Sequence, residues 1–251
     1  MSPGASNAPS PGFRTTRWSM VLRASGDDDS GHKALAELCQ LYWYPLYAFL
    51  RRQGRDAESA KDLTQWFFTR LIEKADLEKV ETGRGRFRSY LLAGLKHFVA
   101  NDWDQQQAKK RGGGQTIVSL DVSLGLDLDE AEGRYRLEPA DNATPEKLFD
   151  RRWALTILET VICRVQEEMR ERGREQLFQR LKVFLEGDGS GPSYDEIARD
   201  LSMTEGAIKV NVHRMRRRFR DLLRQEIGHT LDDPDEVDGE LRHLLAALAA
   251  R

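Results

Sequence analysis

Apolar residues recur at three- and four-residue steps along most of the chain, which is the spacing that places them on one face of an α-helix. The first such pattern covers residues 32–52 and the second residues 57–74. A third starts at Phe87, after a loop of glycine and arginine, and ends at the glycines of residues 112–114. No strand-like alternation of any length is present. These patterns predict a first, all-helical domain over residues 15–111.

A second helical region follows a stretch of weak periodicity. Residues 112–143 carry many acids together with glycine and proline, which is typical of a flexible acidic linker. Thr144 and Pro145 then form a favourable helix start, with threonine as N-cap and proline at the first helical position. We expect a second helical domain over residues 144–228. The predicted fold class is therefore all-α, with two helical domains joined by an acidic flexible linker.

The two ends of the chain differ from these domains. Residues 1–14 are rich in Ser, Pro and Ala and lack the basic and apolar regions of a signal peptide, so we expect a disordered N-terminus. Residues 229–251 contain an acidic break and an amphipathic extension, whose apolar side needs its own domain, another chain or a regulator to cover it. No run approaches the roughly 20 apolar residues of a membrane span, so no membrane partner is expected. Cys39 and Cys163 cannot form a disulfide framework, which favours a reducing cytoplasmic location.

The last helices of the second domain indicate DNA binding. Ser193 and Glu196 have the spacing of a capping box, and Thr204 is a second N-cap after a short turn. Two capped helices joined by so short a turn, the second one densely basic, predict a helix-turn-helix. The outward face of the second helix carries groups that can contact base edges, thymine methyl groups and phosphates, although a solvated basic helix is the alternative. The candidate residues for contact with duplex DNA are Lys209, Val210, Asn211, His213, Arg214 and Arg217.

Charge is segregated along the chain although the formal net charge is only −2. Residues 84–111 contain seven bases and two acids, and residues 204–227 contain seven bases and three acids. Nine acids and three bases lie in residues 112–150, and six acids and two bases lie in residues 228–251. Two basic segments that alternate with two acidic ones are typical of a protein that binds a polyanion at two places.

The first basic segment predicts a different kind of contact. Arginines together with an aromatic residue and an amide suit single-stranded or unpaired nucleic acid, where bases stack and phosphates are neutralised. Phe87, Tyr90 and Phe98 are expected to pack in the core instead. The candidate residues for a melted element are Arg84, Arg86, Arg88, Asn101, Trp103, Lys109, Lys110 and Arg111.

Three stretches resemble the bacterial RNA polymerase sigma factors of the extracytoplasmic-function (ECF) class. They read DLTQWFFTRLIEK, RFRSYLLAGLKHFVANDWDQQQAKKRGGG and SYDEIARDLSMTEGAIKVNVHRMRRRFRDLL. The resemblance implies that residues 57–74 dock on core RNA polymerase, that residues 84–111 open the minus-ten element and that the helix-turn-helix contacts the minus-thirty-five element. It implies core polymerase and promoter DNA as partners and no cofactor. The polymerase-binding residues that it implies are Glu58, Lys61, Asp62, Gln65 and Trp66.

One departure from the family pattern lies in the polymerase-binding helix. Family members usually carry several acids where residues 59–66 read SAKDLTQW, and only Asp62 remains here. The chain is similar to a variant type with a DLTQ helix, in which a Ser/Thr kinase or an anti-sigma regulator is a further possible partner. A phosphate on Thr64 adds about −1.5 to −2 charges, so we expect its phosphorylation to switch on docking. The alternative is that Thr64 simply packs.

Two other classes of function compete with the sigma factor. A transcriptional repressor or activator that binds duplex operator DNA without core polymerase explains the second domain but gives the basic first domain no role. An enzyme is not expected, because no Cys/His set has the spacing of metal ligands and no nucleophile motif or phosphate-binding loop is present. The sequence thus predicts no catalytic residue and no metal. The expected function is transcription initiation by a cytoplasmic sigma factor.

Overall fold

Helices make up nearly all of the backbone that the structure describes. The computed structural model describes residues 29–74, 86–109, 128–136, 143–186, 191–231 and 233–249. Within these ranges no strand forms beyond a single antiparallel bridge between Arg86 and Leu231, so the predicted all-α class is confirmed. In chain order the helices are α1 (Asp29–Arg52), α2 (Ala57–Lys74), α3 (Phe87–Lys109), α4 (Leu128–Arg136), α5 (Pro145–Glu171), α6 (Glu175–Leu181), α7 (Val183–Glu186), α8 (Tyr194–Asp200), α9 (Glu205–His229) and, after a 3₁₀ turn at Pro234–Glu236, α10 (Val237–Ala249).

Helix α1 lies at the centre of the fold. Residues 41–50 are all buried, so this half of the helix is covered around its whole circumference. Trp43 stacks on Tyr47 with ring centroids 5.3 Å apart, and Phe49 meets Phe149 of α5 edge to face at 6.5 Å. Aromatic side chains bury large apolar areas, which makes this segment a major source of stability. Despite its apolar character, neither α1 nor any other helix in the described ranges is long and apolar enough to cross a membrane.

Helix α5 connects α1 to the C-terminal helices. The predicted start is confirmed, because Thr144 Oγ1 accepts a hydrogen bond from the Lys147 backbone N–H at 3.4 Å and Pro145 is the first helical residue. The interior side of α5 carries Trp153 and Ile157, both fully buried, and the helix packs against α1, α9 and α10. The interior of the first half of the chain is therefore continuous with that of the second half.

This continuity differs from the expectation of two domains on a flexible tether. The buried residues of α1, α2 and α3 belong to the same hydrophobic cluster as those of α5, α8, α9 and α10. The physical reason lies in α1, whose buried segment has more apolar surface than α2 and α3 cover, so α5 supplies the remainder. The sequence pattern identified the helices but not which half of the chain covers each apolar face.

Part of the predicted linker is also helical. Residues 128–136 form α4, and its side chains dock on α1 through Glu132, whose carboxylate accepts hydrogen bonds from Tyr47 at 2.6 Å and Arg51 at 2.9 Å. Burial raises the pKa of Glu132, but these hydrogen bonds lower it by more, so its pKa lies below the ordinary value and the group is ionised. Tertiary contacts hold this short helix, so it forms although its own periodicity is weak. Residues 112–127 and 137–142 of the predicted linker lie outside the described ranges, as does the N-terminal stretch 1–14.

The shared core predicts one cooperative unfolding transition for both halves of the chain. Replacing Phe149 by alanine removes its ring from the contact with Phe49, and we expect it to lower the free energy of unfolding by about 3 to 5 kcal/mol. Urea denaturation followed by far-ultraviolet circular dichroism and by tryptophan fluorescence measures this, and the two signals should coincide. Leu245→Ala, at a position that is 57% exposed, is the control and should change little. Two separate transitions, of which Phe149→Ala moves only one, would contradict the shared core.

Candidate nucleic-acid interfaces

Helices α8 and α9 are joined by a tight turn at residues 201–204. The capping box at the start of α8 is present, with Ser193 Oγ accepting from the Glu196 backbone N–H at 3.2 Å and Glu196 Oε2 accepting from the Ser193 N–H at 2.8 Å. Thr204 caps α9 in the same way, accepting from the backbone N–H three residues later at 3.2 Å. Ser202 has a φ of 52°, in the left-handed region that sharp chain reversals use. These local bonds fix where each of the two helices begins.

Helix α9 has an inner and an outer face that agree with the sequence analysis. Ile208, Val212 and Met215 are buried, and the helix packs against both α8 and α5. Val210 is 48% exposed, an apolar side chain on a strongly basic surface. The exposed members of the predicted set are Lys209, Val210, His213, Arg214 and Arg217. The side chains therefore lie together on one solvent-facing surface, which we call the α9 surface.

Two residues of the predicted set make contacts within the helix. Asn211 is half-buried and its Nδ2 donates to the Ala207 carbonyl at 2.8 Å. Lys209 Nζ lies 2.7 Å from Glu205 and 5.8 Å from the centroid of the Tyr194 ring. The hydrogen bond to Glu205 raises the pKa of Lys209, so this ammonium stays charged. Both residues are solvent-accessible, so these contacts can exchange for contacts with a ligand.

Two further arginines fix the position of α9. Arg216 Nε donates to the Phe184 carbonyl at 3.0 Å, and Arg218 pairs with Glu168 of α5 through bonds of 2.8 and 2.5 Å. The hydrogen bond from Arg218 lowers the pKa of Glu168. Arg216 and Arg218 thus connect α9 to α7 and α5. Arg214 and Arg217 lie on the α9 surface.

The arginines at the start of α3 are not open to solvent in the way that the sequence suggested. Arg88 is only 7% exposed, and its Nε donates to Glu240 at 2.5 Å while its Nη1 donates to Asp150 at 2.8 Å. Its guanidinium lies 5.3 Å from the centroid of the Trp153 ring. Arg86 is half-buried, with Nε 3.1 Å from Glu240. In this conformation carboxylates of the second half of the chain occupy the hydrogen-bonding groups of Arg88, so a contact between Arg88 and nucleic acid stays a prediction that requires release of these partners.

The rest of the candidate set for a melted element is only partly described. The backbone of α3 includes Asn101, Trp103 and Lys109, but the positions of their side chains are not described. Arg84, Lys110 and Arg111 lie outside the described residues. The proposed role of these six positions stays a prediction.

The predicted polymerase-binding residues are spread over two faces of α2. Glu58 and Asp62 are exposed, and Lys61 is half-buried. Gln65 is buried at 8% exposure. The Trp66 ring meets the Phe98 ring edge to face at 5.2 Å, so this residue is half in the core. Of the five predicted residues, Glu58 and Asp62 are therefore exposed to a partner in this conformation, Lys61 and Trp66 are partly exposed, and Gln65 is not.

Thr64 is fully buried, which corrects the picture of an accessible modification site. Its side chain has no exposed surface, and its Oγ1 donates to the Ala60 carbonyl at 2.7 Å. A kinase cannot reach this hydroxyl while α2 is packed, so phosphorylation would require this part of the core to open. The alternative considered in the sequence analysis, that Thr64 simply packs, agrees with its position.

The sequence analysis missed the carboxylates that hold the α3 arginines. Glu240 has no exposed surface, Glu236 lies 3.7 Å from Arg86, and Asp150 lies on α5. A usable signal was present, because the four-residue spacing of Glu236 and Glu240 would place both on one face of the helix predicted from the sequence, although in the structure Glu236 ends the 3₁₀ turn before α10. The acidic extension suggested an unknown partner, but the pattern alone gave no indication that the partner is α3.

Comparison with protein-family models, with curated proteins and with solved structures found no match for this chain. In the part of the chain that the structure describes, no group of three or more His, Cys, Asp or Glu side chains could hold a metal ion. The features of this chain that bear on its function are therefore its two arginine-bearing regions, the α9 surface and the start of α3.

The burial of Thr64 predicts that an aspartate there destabilises the protein. We expect Thr64→Asp to lower the free energy of unfolding by at least about 3 kcal/mol, because the carboxylate loses water without gaining a cationic partner. Thr64→Val keeps the shape and should cost no more than about 1 kcal/mol, since only the bond to the Ala60 carbonyl is lost. Urea denaturation of both variants measures the difference. A Thr64→Asp protein as stable as the wild type would show that the side chain is accessible after all.

Proposed function

We propose that this protein is a sigma factor of the ECF type, which acts in the cytoplasm by binding core RNA polymerase and directing it to promoters. The observation that carries the proposal is the α8–α9 pair. Two capped helices joined by a short turn, with a basic and solvent-exposed second helix, support the interpretation of this pair as a helix-turn-helix. A turn with one left-handed residue and a hydrophobic contact between the helices support this interpretation.

The α9 surface has the chemistry that major-groove contacts require. Arg214 and Arg217 can donate two hydrogen bonds each to a guanine edge or to phosphates, and Val210 can touch a thymine methyl group. Asn211 can pair with an adenine edge if its amide leaves the Ala207 carbonyl. Arg218 and Arg216 contribute indirectly, because their contacts with α5 and α7 hold the helix in one orientation.

The first half of the chain would supply the polymerase contact and the melting of the promoter. In this proposal, Glu58, Lys61 and Asp62 contact core polymerase. Arg86 and Arg88 then bind the backbone of the minus-ten element, a role that requires them to leave their present carboxylate partners. The order of these elements along the chain agrees with the resemblance described in the sequence analysis.

A repressor or activator that binds duplex DNA alone is the second candidate. The observation that favours it is the engagement of Arg86 and Arg88 inside the protein, which leaves the α9 surface as the accessible part of the two candidate interfaces. Such a protein would need no contact with core polymerase.

Transcription in vitro separates the two candidates. With purified bacterial core polymerase and fragmented genomic DNA, we expect transcripts with defined start sites that appear only when this protein is added. The sequences upstream of those starts should share two elements. Tight binding to duplex fragments without any such transcript, from the wild type and from Glu240→Gln, which removes the charge of the carboxylate that holds Arg86 and Arg88, would contradict the sigma factor and favour the repressor or activator.

Substitutions on the α9 surface should weaken binding to duplex DNA. We expect Arg214→Ala and Arg217→Ala each to lower affinity and, where the arginine contacts a phosphate, to reduce the slope of log affinity against log salt concentration by about one. Arg136→Ala is a matched control, since the Arg136 side chain is 77% exposed on α4. Fluorescence anisotropy with duplex DNA over a range of salt concentrations measures these effects. Equal losses for Arg136→Ala and Arg214→Ala would show that net charge, and not the α9 surface, determines binding.

A further inference from the structure

The end of the chain binds the arginines of α3 through its side chains. We call residues 230–231 and 233–249 the C-terminal segment. Glu240 of this segment is fully buried, and its two carboxylate oxygens lie 2.5 Å from Arg88 Nε and 3.4 Å from Arg88 Nη2. The same carboxylate lies 3.1 Å from Arg86 Nε, and Glu236 adds a second carboxylate at 3.7 Å. Arginine holds carboxylates and phosphates with the same planar set of donors, so these groups occupy the place that a phosphate would take.

The backbone of the C-terminal segment makes a second contact with α3. The Phe87 N–H donates to the Thr230 carbonyl at 3.1 Å, next to the bridge between Arg86 and Leu231. Phe87 is the first residue of α3, and the first N–H groups of a helix have no acceptor within the helix. The C-terminal segment therefore supplies an acceptor that the α3 N-terminus would otherwise lack.

The charge of the C-terminal segment opposes that of the surface it covers. Residues 233–240 contain five acids and no bases, whereas the two α3-side residues that their carboxylates contact, Arg86 and Arg88, are both basic. A nucleic-acid backbone carries the same sign of charge as this acidic stretch, so the two would compete for the same arginines.

The C-terminal segment is attached to the rest of the protein through three buried apolar side chains, Leu231, Val237 and Leu244, together with the polar contacts of Glu240. Helix α10 has 13 residues, a length that is marginal for a helix without tertiary contacts. Leu244 is buried against the core, while the ion pair between Asp238 and Arg224 of α9 lies at the surface, with the two side chains 62% and 48% exposed. A buried ion pair resists the loss of one partner but adds little stability over the separated, hydrated groups. Closed and open states can therefore have similar free energies.

We propose that the C-terminal segment is an autoinhibitory element that keeps Arg86 and Arg88 from nucleic acid until it is released. In the closed state Glu236 and Glu240 occupy the arginines in place of phosphates. In the open state the arginines are hydrated and accessible, and nucleic acid shifts the equilibrium by binding that state. The inference rests on the proposed function in one respect, since it takes nucleic acid as the ligand of these arginines.

The first test measures release without any ligand. Glu240→Gln leaves the buried Arg88 with a single carboxylate, so we expect the Phe87 amide to exchange with solvent about tenfold faster or more, as measured by NMR hydrogen exchange. Asp235→Asn is the matched control, because it removes one negative charge from an exposed side chain of the same segment, and its Phe87 amide should exchange as in the wild type. Equal exchange in all three proteins would overturn the proposal.

The second test measures binding of a fluorescein-labelled single-stranded oligonucleotide of mixed sequence by anisotropy. We expect Glu240→Gln to bind it about tenfold more tightly than Asp235→Asn does, since the two variants have the same net charge. Faster exchange at Phe87 together with equal binding by both variants would show that the segment is released without exposing a nucleic-acid site, which overturns the proposal.

A charge-neutral pair of variants covers the case in which Glu240→Gln fails to fold, as judged by circular dichroism. Leu244→Ala removes a buried side chain that docks α10, and Leu245→Ala makes the same change at the adjacent position, which is 57% exposed. Leu244→Ala should increase single-stranded DNA binding about tenfold relative to Leu245→Ala. Equal binding by this pair would overturn the proposal.

Oligonucleotide binding and transcription by the same variants together distinguish failure of the sigma factor proposal from failure of the autoinhibition proposal. Tighter oligonucleotide binding by Glu240→Gln and Leu244→Ala, without transcription from any variant with core polymerase, would support autoinhibition and contradict the sigma factor. Transcription by the wild type as strong as that by Glu240→Gln and Leu244→Ala would support the sigma factor and overturn autoinhibition.

Discussion

The burial of the Arg88 guanidinium between two carboxylates connects three parts of the chain that the sequence pattern assigned to different units. Arg88 lies on α3, Asp150 on α5 and Glu240 on α10. Burial lowers the pKa of Arg88, and the hydrogen bond from its guanidinium to Glu240 and the nearby carboxylates more than reverse that effect, so its pKa lies above the ordinary value and the group is charged. A charged group in the interior is tolerated only with its partners in place, so Arg88 stays buried only while α3, α5 and α10 keep their relative positions.

The aromatic segment of α1 provides the apolar contact between the two halves of the chain. Residues 41–50 bury their surface against α2 and α5 together, and Phe49 contacts Phe149 directly. The apolar contact between the halves is broad, whereas the polar contact at Arg88 is local and depends on charge. Separation of α10 alone would break the polar contact and leave α1 packed on α5. That difference explains how the arginines of α3 could be exposed while the core of the molecule persists.

The sequence allowed the prediction of local features and failed on long-range ones. The N-caps Ser193, Thr144 and Thr204 follow from residue types at fixed offsets, and the inward face of α9 follows from its period, so both were predictable. The burial of Thr64 and Arg88 depends on what packs over them, and no local pattern records that. Helix α4 was missed for the same reason, because Glu132 and its partners on α1 hold a segment whose own periodicity is weak. Among the candidate site residues, those on an exposed helix face were placed correctly, and those near the contact between the two halves were not.

Energy transfer between α3 and α10 tests the closed state most directly. The two native cysteines are first replaced by serine. Donor and acceptor dyes are then attached through Ser89→Cys and Ala246→Cys, at two exposed positions. The transfer between them reports the separation of the C-terminal segment from the start of α3. The account predicts high transfer in the free protein and a marked loss of transfer when the protein is part of a promoter complex with core polymerase. High transfer retained in a complex that initiates transcription would contradict it, because the arginines would then remain covered while the proposed function proceeds.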